Sequence, residues 1–271
     1  MALPSSGQIS INQMHVEVGG SSTSEVTIND ADIRSMIGKG STAQNAFSEY
    51  YGVTATAATA VYKGRASTTG NGFPSGSVTL SSGSKLVVVT LQLAGSGNTY
   101  VTCGGTNMTL AAKMDVAPTG GVWGAALTSA VYYLVTSASG STYITGNGGS
   151  GRSVLHVWEI TNYNSSTPFS TNTAQNTDNT SYSKTISLST QYNGCTIGSG
   201  ITEDTSPAAS VTVSNSDSIQ QIDLESATNH FTWKDEGTST GTTSYLADQN
   251  NPGSNIVAGS AIMQLAAAHW K

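Results

Sequence analysis

The stretch Lys85-Leu-Val-Val-Val-Thr-Leu-Gln-Leu93 decides how this chain folds. Its apolar side chains fall on both faces of an extended strand: Val87, Val89, Leu91 and Leu93 on one face, Leu86 and Val88 on the other. Apolar residues on both faces are typical of a strand that is covered on both sides, in the middle of a sheet. We therefore predict a central strand here, with the other β-like runs as its neighbours.

Similar runs recur at short intervals, separated by Gly, Ser and Asn. They occupy residues 77–80, 99–103, 107–114, 124–135, 141–145, 153–161, 182–188, 194–201, 208–213, 219–224, 231–233 and 256–265. Gly104-Gly105 predicts a hairpin with a two-residue connection between the second and third runs. The pattern predicts a mainly β fold, an antiparallel β-sandwich of two packed sheets over residues 77–271. A jelly roll is one candidate topology, and residues 55–76 are interpreted as a linker and the entry to the sandwich.

Residues 1–54 differ from the rest of the chain and contain three similar short units, 8–20, 25–38 and 43–52. Each unit has an apolar segment, a polar capping residue, and a helical turn or two closed by Gly. In the second unit Asn29 is the predicted N-cap, Asp30 and Asp32 suit the positive end of a helix, and Gly38 supplies the stop. We predict a small N-terminal attachment module with short helices.

The apolar residues of this module are the predicted docking site, because so small a unit buries little surface by itself. We expect them to need a second surface, either the body of this protein or a partner. The predicted docking residues are Ile9, Ile11, Val16, Val18, Val26, Ile28, Ile33, Met36 and Ile37.

Composition excludes several classes of function. The formal net charge is -6 with only ten Lys and Arg, so there is no basic stripe for nucleic acid. No apolar run approaches the ~20 residues of a membrane-spanning helix. The opening Met1–Ser6 lacks the basic start and apolar core of a signal peptide, which predicts use without secretory export. Cys103 and Cys195 are expected to be buried free thiols, although a disulfide stays open if their strands are neighbours.

No motif of a catalytic or metal site is present. His15, His156, His230 and His269 stand alone, without the paired spacing of metal ligands, and His156 is expected to pack within a strand. The acidic groups, Glu203-Asp204, Asp223, Glu225 and Asp235-Glu236, are interpreted as solvated turns, with a calcium site as the lesser alternative. No nucleophile elbow, Walker loop or dinucleotide fingerprint occurs. We predict a protein that is not an enzyme and has no cofactor or metal.

The aromatic residues offer one further kind of site, because aromatic faces stack on pyranose rings. Tyr132, Tyr133 and Trp158 lie in the most strand-like runs, where core or cross-strand packing is expected. Among loop aromatics, Tyr163 and Tyr192 are the better candidates for a host surface glycan.

Two parts of the chain are similar to known families. The opening, Leu3-Pro-Ser-Ser-Gly-Gln-Ile-Ser-Ile-Asn12, through Glu49-Tyr-Tyr-Gly52, resembles an N-terminal module of structural proteins of tailed bacteriophages. The segments Lys85–Val89, Val101–Leu110, Val131–Val135 and Val154–Pro168 resemble a β-sandwich domain of phage and bacterial surface proteins. Cys103 stands where that pattern has a bulkier residue, and residues 201–255 match it poorly.

The resemblance implies a virion structural protein of the tail, baseplate or fibre, assembled in the host cytoplasm. Other virion proteins would be its partners, and repetition in the virion implies a homo-oligomer, with a trimer favoured. A capsid decoration or head-fibre protein and a free carbohydrate-binding module are the alternatives. The family has no catalytic residues to carry over.

Overall fold

The computed structural model describes residues 3–30, 33–34, 36–37, 39, 43–52, 56–69, 72–94, 99–116, 127–147, 152–176, 183–203, 210–224, 228–238, 240–250 and 262–271. A helix, α1 (Ile11–Glu17), and a 3₁₀ turn, Phe47–Tyr50, lie in the N-terminal part. Ile33 and Arg34 are also helical, and the other regular structure within the described residues is β. The prediction of a mainly β, antiparallel fold is confirmed.

The strands fall into two groups along the chain. The first group is β1 (Thr59–Thr68), β2 (Ser75–Leu80), β3 (Lys85–Ala94), β4 (Tyr100–Cys103), β5 (Thr106–Asn107), β6 (Thr109–Val116), β7 (Leu127–Thr136), β8 (Gly140–Asn147) and β9 (Ser153–Thr161). The second group is β10 (Ser170–Asn176), β11 (Ser183–Thr190), β12 (Gly194–Glu203), β13 (Ser210–Val213), β14 (Ser218–Leu224), β15 (Thr228–Thr238), β16 (Gly241–Asn250) and β17 (Ile262–Trp270).

Each group forms a separate sandwich. In the first, an inner sheet of order β1-β9-β3-β7-β6 faces an outer sheet of order β2-β8-β4-β5. In the second, the inner sheet is β10-β17-β12-β15-β14 and the outer sheet is β11-β16-β13. The predicted central strand, β3, is the middle strand of the first inner sheet, and nine of its ten residues are buried.

Both sandwiches are jelly rolls with the same topology. In the first, the strands pair outside-in: β1 with β9, β2 with β8, β3 with β7, and β4 with β5. In the second, β10 pairs with β17, β11 with β16, and β12 with β15, while β14 extends the inner sheet as β6 does. This nested pairing is that of a long hairpin rolled into two sheets. The chain therefore contains two successive jelly rolls, a repeat of topology that the sequence pattern did not predict.

The two jelly rolls stack through their inner sheets, so the body has four layers. One cluster of buried residues lies between the inner sheets and includes Leu86, Trp158, Ile197 and Trp270. Two further clusters fill the interiors of the first and second jelly rolls. The structure thus has two stacked sandwiches, where the sequence predicts a single sandwich of two packed sheets over residues 77–271. The alternation of apolar residues along a strand shows that one of its faces is buried, but it does not show how many sheets pack against one another.

Several strand boundaries differ from prediction. The predicted linker contains β1, which pairs with β9 across a bulge between Tyr62 and Gly64. β10 and β16 were not predicted, because their Ser, Thr and Asn residues resemble loop composition. The last strand begins at Ile262 and runs to Trp270, and the predicted start at 256 lies outside the described residues. So do 124–126, 182 and 208–209 at the starts of three other predicted runs.

The predicted hairpin at Gly104-Gly105 is confirmed. Cys103 pairs with Thr106 across the two glycines, whose φ angles are 56° and 81°. These left-handed conformations are those that a tight two-residue β-turn requires. The chain then changes sheet, because β5 extends the outer sheet and β6 pairs with β7 in the inner sheet.

Candidate functional site

The N-terminal module closes around a small core of its own. Leu3, Met14, Val18, Ile33 and Tyr50, drawn from the chain start and all three predicted units, form its buried cluster. Helix α1 begins at a capping box, in which Gln13 N donates to Ser10 Oγ (3.2 Å) and Ser10 N donates to Gln13 Oε1 (2.7 Å). Most of these apolar residues therefore pack on one another within the module, whereas the sequence predicts that they need a second surface.

Side chains tie the three units together. Asn45 Nδ2 donates to both Ile28 O and Tyr50 Oη, each at 2.9 Å. Tyr51 Oη donates to Gly7 O at 2.6 Å. These bonds reach from the third unit back to the second unit and the chain start, so the module is held as one body.

The structure describes side-chain bonds of Asp30 and Asn29 at the start of the helical turn in the second unit. Thr27 N and Oγ1 donate to the Asp30 carboxylate at 3.0 and 2.8 Å, and these bonds lower the Asp30 pKa. Asn29 Oδ1 accepts from Arg34 Nη1 at 3.0 Å. The amides that Asn29 would cap, with Asp32 and Gly38, lie outside the described residues.

The nine predicted docking residues do not form one surface. Val18 and Ile33 are buried in the module core, and five more pack against it: Ile9, Val26, Ile28, Met36 and Ile37. Ile11 is half-buried. Val16 is the most exposed of the nine, with 47% of its area accessible to solvent.

Val16 lines a groove of about 510 Å³ at the outer side of α1, here called the α1 groove. Its lining is Leu3, Pro4, Asn12, Gln13, Val16, Glu17 and Tyr192. Leu3, Pro4, Val16 and the Tyr192 ring provide apolar surface, while the side chains of Asn12 and Gln13 offer hydrogen-bonding groups. Sequence reasoning missed Leu3 and Pro4 as lining residues, although both belong to the segment that resembles a phage module.

Tyr192 belongs to the second jelly roll, in the turn between β11 and β12, and seats the module against the body. A Cβ atom built on Gly19 would lie 2.2 Å from Tyr192 Cβ and Cγ. Gly19 also has φ +86°, which favours glycine. Gly19, which follows the C-cap residue Val18, therefore lets the chain approach the Tyr192 ring, and residues of both the module and the body line the groove.

A second polar region lies between the two inner sheets. Gln92 Nε2 donates to Ser199 Oγ (2.8 Å), Ser129 Oγ also donates to Ser199 Oγ (2.9 Å), and Trp158 Nε1 donates to Thr232 Oγ1 (3.0 Å). These bonds join side chains of the first jelly roll to side chains of the second. We call this region the polar seam.

Two histidines belong to the polar seam. His156 Nδ1 lies 3.0 Å from Tyr62 Oη, which confirms that His156 is a packed histidine, and His230 Nε2 lies 3.2 Å from Thr228 Oγ1. Burial lowers the pKa of each imidazole to about 3, and positive Arg65 lowers that of His156 further. Both are therefore neutral in the folded protein at neutral pH. His269, bonded to Thr196 Oγ1 at 3.0 Å, is the third buried histidine of the body, and burial lowers its pKa to about 4.

Asp235 and Glu236, two of the acidic residues singled out in the sequence, have structural partners. Asp235 and Glu236 lie in β15, not in a solvated turn as expected. Tyr245 Oη donates to Asp235 Oδ2 at 2.8 Å, and burial raises the Asp235 pKa. Glu236 accepts a hydrogen bond from Ala60 N, and this bond joins β15 to β1. Glu236 also forms an ion pair with Lys234 of its own strand. The side chains of Glu203 and Asp223, with Asp204 and Glu225, lie outside the described residues.

The two cysteines are free and buried, as predicted. Cys103 belongs to the interior of the first jelly roll and Cys195 to the layer between the inner sheets. Burial raises the pKa of both thiols. Their positions in different layers explain why they do not pair.

The aromatic residues within the strands are packed, as predicted, and the two loop aromatics are partly buried. Tyr132 and Trp158 are buried, and half-buried Tyr133 packs its ring against Trp270 at a centroid distance of 6.0 Å. Tyr163 packs partly buried against the layer between the inner sheets, and Tyr192 lines the α1 groove. Neither of these two loop residues belongs to a flat exposed platform.

Comparison of the chain with protein families, with curated proteins and with solved structures found no match. Within the part of the chain that the structure describes, no cluster of three or more His, Cys, Asp or Glu is arranged to hold a metal ion. No helix among the described residues has both the length and the apolar character to cross a membrane.

Proposed function

We propose that the protein is a non-enzymatic structural component of a tailed-phage virion, in the tail, baseplate or fibre region. Its N-terminal module docks onto another virion protein through the α1 groove, and the two jelly rolls face outward. The protein assembles in the host cytoplasm and repeats in the virion as a homo-oligomer, with a trimer favoured.

One observation carries the docking role. Most of the described apolar residues of the module pack in its own core, while Val16, Phe47 and Tyr51 stay exposed. Of these three, Val16 lies beside Leu3, Pro4 and Tyr192 in a groove. An exposed apolar concavity rimmed by polar side chains is typical of a surface that receives another protein. The similarity of Leu3–Asn12 to phage structural modules supports the same location, because that segment contributes Leu3, Pro4 and Asn12 to the groove.

The partner is expected to insert an apolar side chain between Val16 and Tyr192, with hydrogen bonds to Asn12 and Gln13. Such a contact is small. A virion contact repeated around a symmetry axis gains from several copies acting together, so a weak single site suffices.

The test uses the phage that encodes this chain, with the wild-type gene replaced by variants. Val16→Glu places a charge in the α1 groove and should lower the number of copies per purified particle at least tenfold, measured by quantitative mass spectrometry. Val61→Glu, at an equally exposed apolar residue on β1 (51% exposed), is the matched control and should leave the copy number unchanged. Both purified variants should unfold at the wild-type temperature.

The two parts of the proposal fail separately. If the wild-type chain is missing from purified particles, it is not a virion component. If it is present and Val16→Glu is incorporated normally, the groove is not the docking site. Immunogold labelling of particles distinguishes a tail position from the alternative, a capsid decoration or head-fibre protein.

A further inference from the structure

The outer sheet of the first jelly roll presents an exposed face that combines aromatic rings with hydroxyl groups. Val78, Val101 and Ile144 point into the jelly roll, so the alternate residues of the same strands point outward. Tyr143 on β8 and Tyr100 on β4 are 55% and 47% exposed, and Phe73, just before β2, is 51% exposed. The other outward residues of these strands are Ser75, Ser77, Thr79, Thr102, Asn107, Ser141 and Thr145.

The register of the sheet spaces the rings apart. Tyr100 pairs with Asn147, and Tyr143 lies four residues back along β8, about 14 Å away at strand rise. Gly146 N donates to Pro74 O at 2.9 Å, which places neighbouring Phe73 across β8 from Tyr100. Ser75, Thr145 and Thr102 form a row across three strands. This row lies between Tyr143 on one side and Phe73 and Tyr100 on the other. The rings therefore lie at separate points along a hydroxyl-lined surface.

This spacing favours a polysaccharide over a protein. The core of a protein interface is a contiguous apolar patch, whereas these rings are separated by Ser and Thr. The C–H faces of sugar rings pack on separate aromatic faces, and sugar hydroxyls bond with Ser, Thr and Asn side chains between them. None of the described residues on this face carries a charge, so an anionic polysaccharide would find no cation there.

The second jelly roll provides an internal comparison. On its outer sheet the described outward residues include Thr185, Ser187, Thr212, Ser244 and Leu246, with no aromatic ring among them. Tyr143 and Ser244 each lie three residues after the Gly that begins their strand, and Tyr100 and Ser210 each begin theirs. The outer sheet of the second jelly roll thus forms with serine at the positions that correspond to Tyr143 and Tyr100 of the first. The exposed rings are not a requirement of the fold.

We propose that the outer face of the first jelly roll binds a neutral polysaccharide, which stacks on Tyr143, Tyr100 and Phe73. The inference does not depend on the virion role of the N-terminal module, because the face and the α1 groove share no residue. Binding requires neither a metal nor a charge on the ligand.

The test is affinity electrophoresis of the full-length protein in native gels that contain dextran, laminarin, yeast mannan, galactomannan or hydroxyethyl cellulose, with alginate as the anionic comparison. We expect retardation by at least one neutral polysaccharide and none by alginate. Tyr143→Ser and Tyr100→Ser should each weaken the retardation about three- to tenfold in apparent affinity, as expected for loss of one stacking ring. Tyr143→Phe should retain it, because stacking uses the ring and not the hydroxyl.

Leu246→Ser, an exposed apolar residue (41% exposed) on the corresponding face of the second jelly roll, is the matched control and should bind as wild type. Thermal unfolding of each variant checks that the fold is intact. The proposal is overturned if no neutral polysaccharide retards the protein, if alginate alone does, or if retardation survives both Tyr→Ser changes. Val16→Glu should bind normally, so failure of the docking proposal leaves this result unaffected.

Discussion

Acid should destabilise this protein through the two histidines of the polar seam. His156 and His230 are fully buried and neutral, with pKa values near 3, against about 6.5 for an unfolded chain. Below pH 6.5 the unfolded chain therefore binds protons that the folded protein does not. Stability is fully present above that pH and falls as the pH drops toward 3.

The size of this loss of stability depends only on the histidine pKa in the unfolded chain, as long as the imidazoles of the folded protein stay neutral. Between about pH 7.5 and pH 5.0 each histidine should remove about 2 kcal/mol from the free energy of unfolding, or about 4 kcal/mol for the pair. That is a large part of the ~5–15 kcal/mol that stabilises a typical domain. His269 adds a loss of similar size in the same range, because its pKa is about 4.

Urea unfolding followed by tryptophan fluorescence measures the effect at several pH values in this range. His230→Gln and His156→Gln replace an imidazole by a side chain that does not titrate. Each variant should lose about 2 kcal/mol of the acid dependence, while any packing defect shows as an offset already present at pH 7.5. If the variants lose as much stability as wild type between pH 7.5 and 5.0, the two histidines are not neutral in the folded state and the reasoning is refuted.

Two further predictions concern packing and reactivity. Gly198→Ala should cost at least about 1–3 kcal/mol in urea unfolding, because its Cβ would lie 2.0 Å from the buried Trp233 ring; Gly76→Ala, whose Cβ meets only Ala66 Cβ at 3.2 Å, should cost less. Cys103 and Cys195 should react with a thiol reagent in the native protein only as fast as the chain unfolds, because both thiols are buried and their pKa values are raised. Rapid labelling before unfolding would contradict the assigned burial.

The polar seam gives the two stacked jelly rolls a defined arrangement. The inner sheets of the two jelly rolls share an apolar layer around Trp158 and Ile197, which holds them together without specifying their exact register. The bonds from Gln92 and Ser129 to Ser199 add that specification, because displacement of either sheet would leave buried polar groups without partners. The same arrangement makes the interface sensitive to protonation.

Local features of the sequence predicted the parts of the fold that depend on local rules. The apolar alternation of 85–93 predicted a covered central strand, and Gly104-Gly105 predicted a tight turn, as the structure shows. The predicted docking site fared differently. Its residues were identified as apolar, but an apolar stripe does not show whether it packs on its own module or on a partner.

The sequence by itself determined that the chain is mainly β and where many of the strands lie, because side-chain alternation and turn chemistry act over a few neighbouring residues. Only the tertiary structure decided that the strands form two stacked jelly rolls, that Val16 meets Tyr192 in a groove, and that Tyr100 and Tyr143 share an exposed face. The reason is that strand pairing joins residues far apart in the chain. Many apolar strands could pair with many others, and the choice rests on the packing of the whole body.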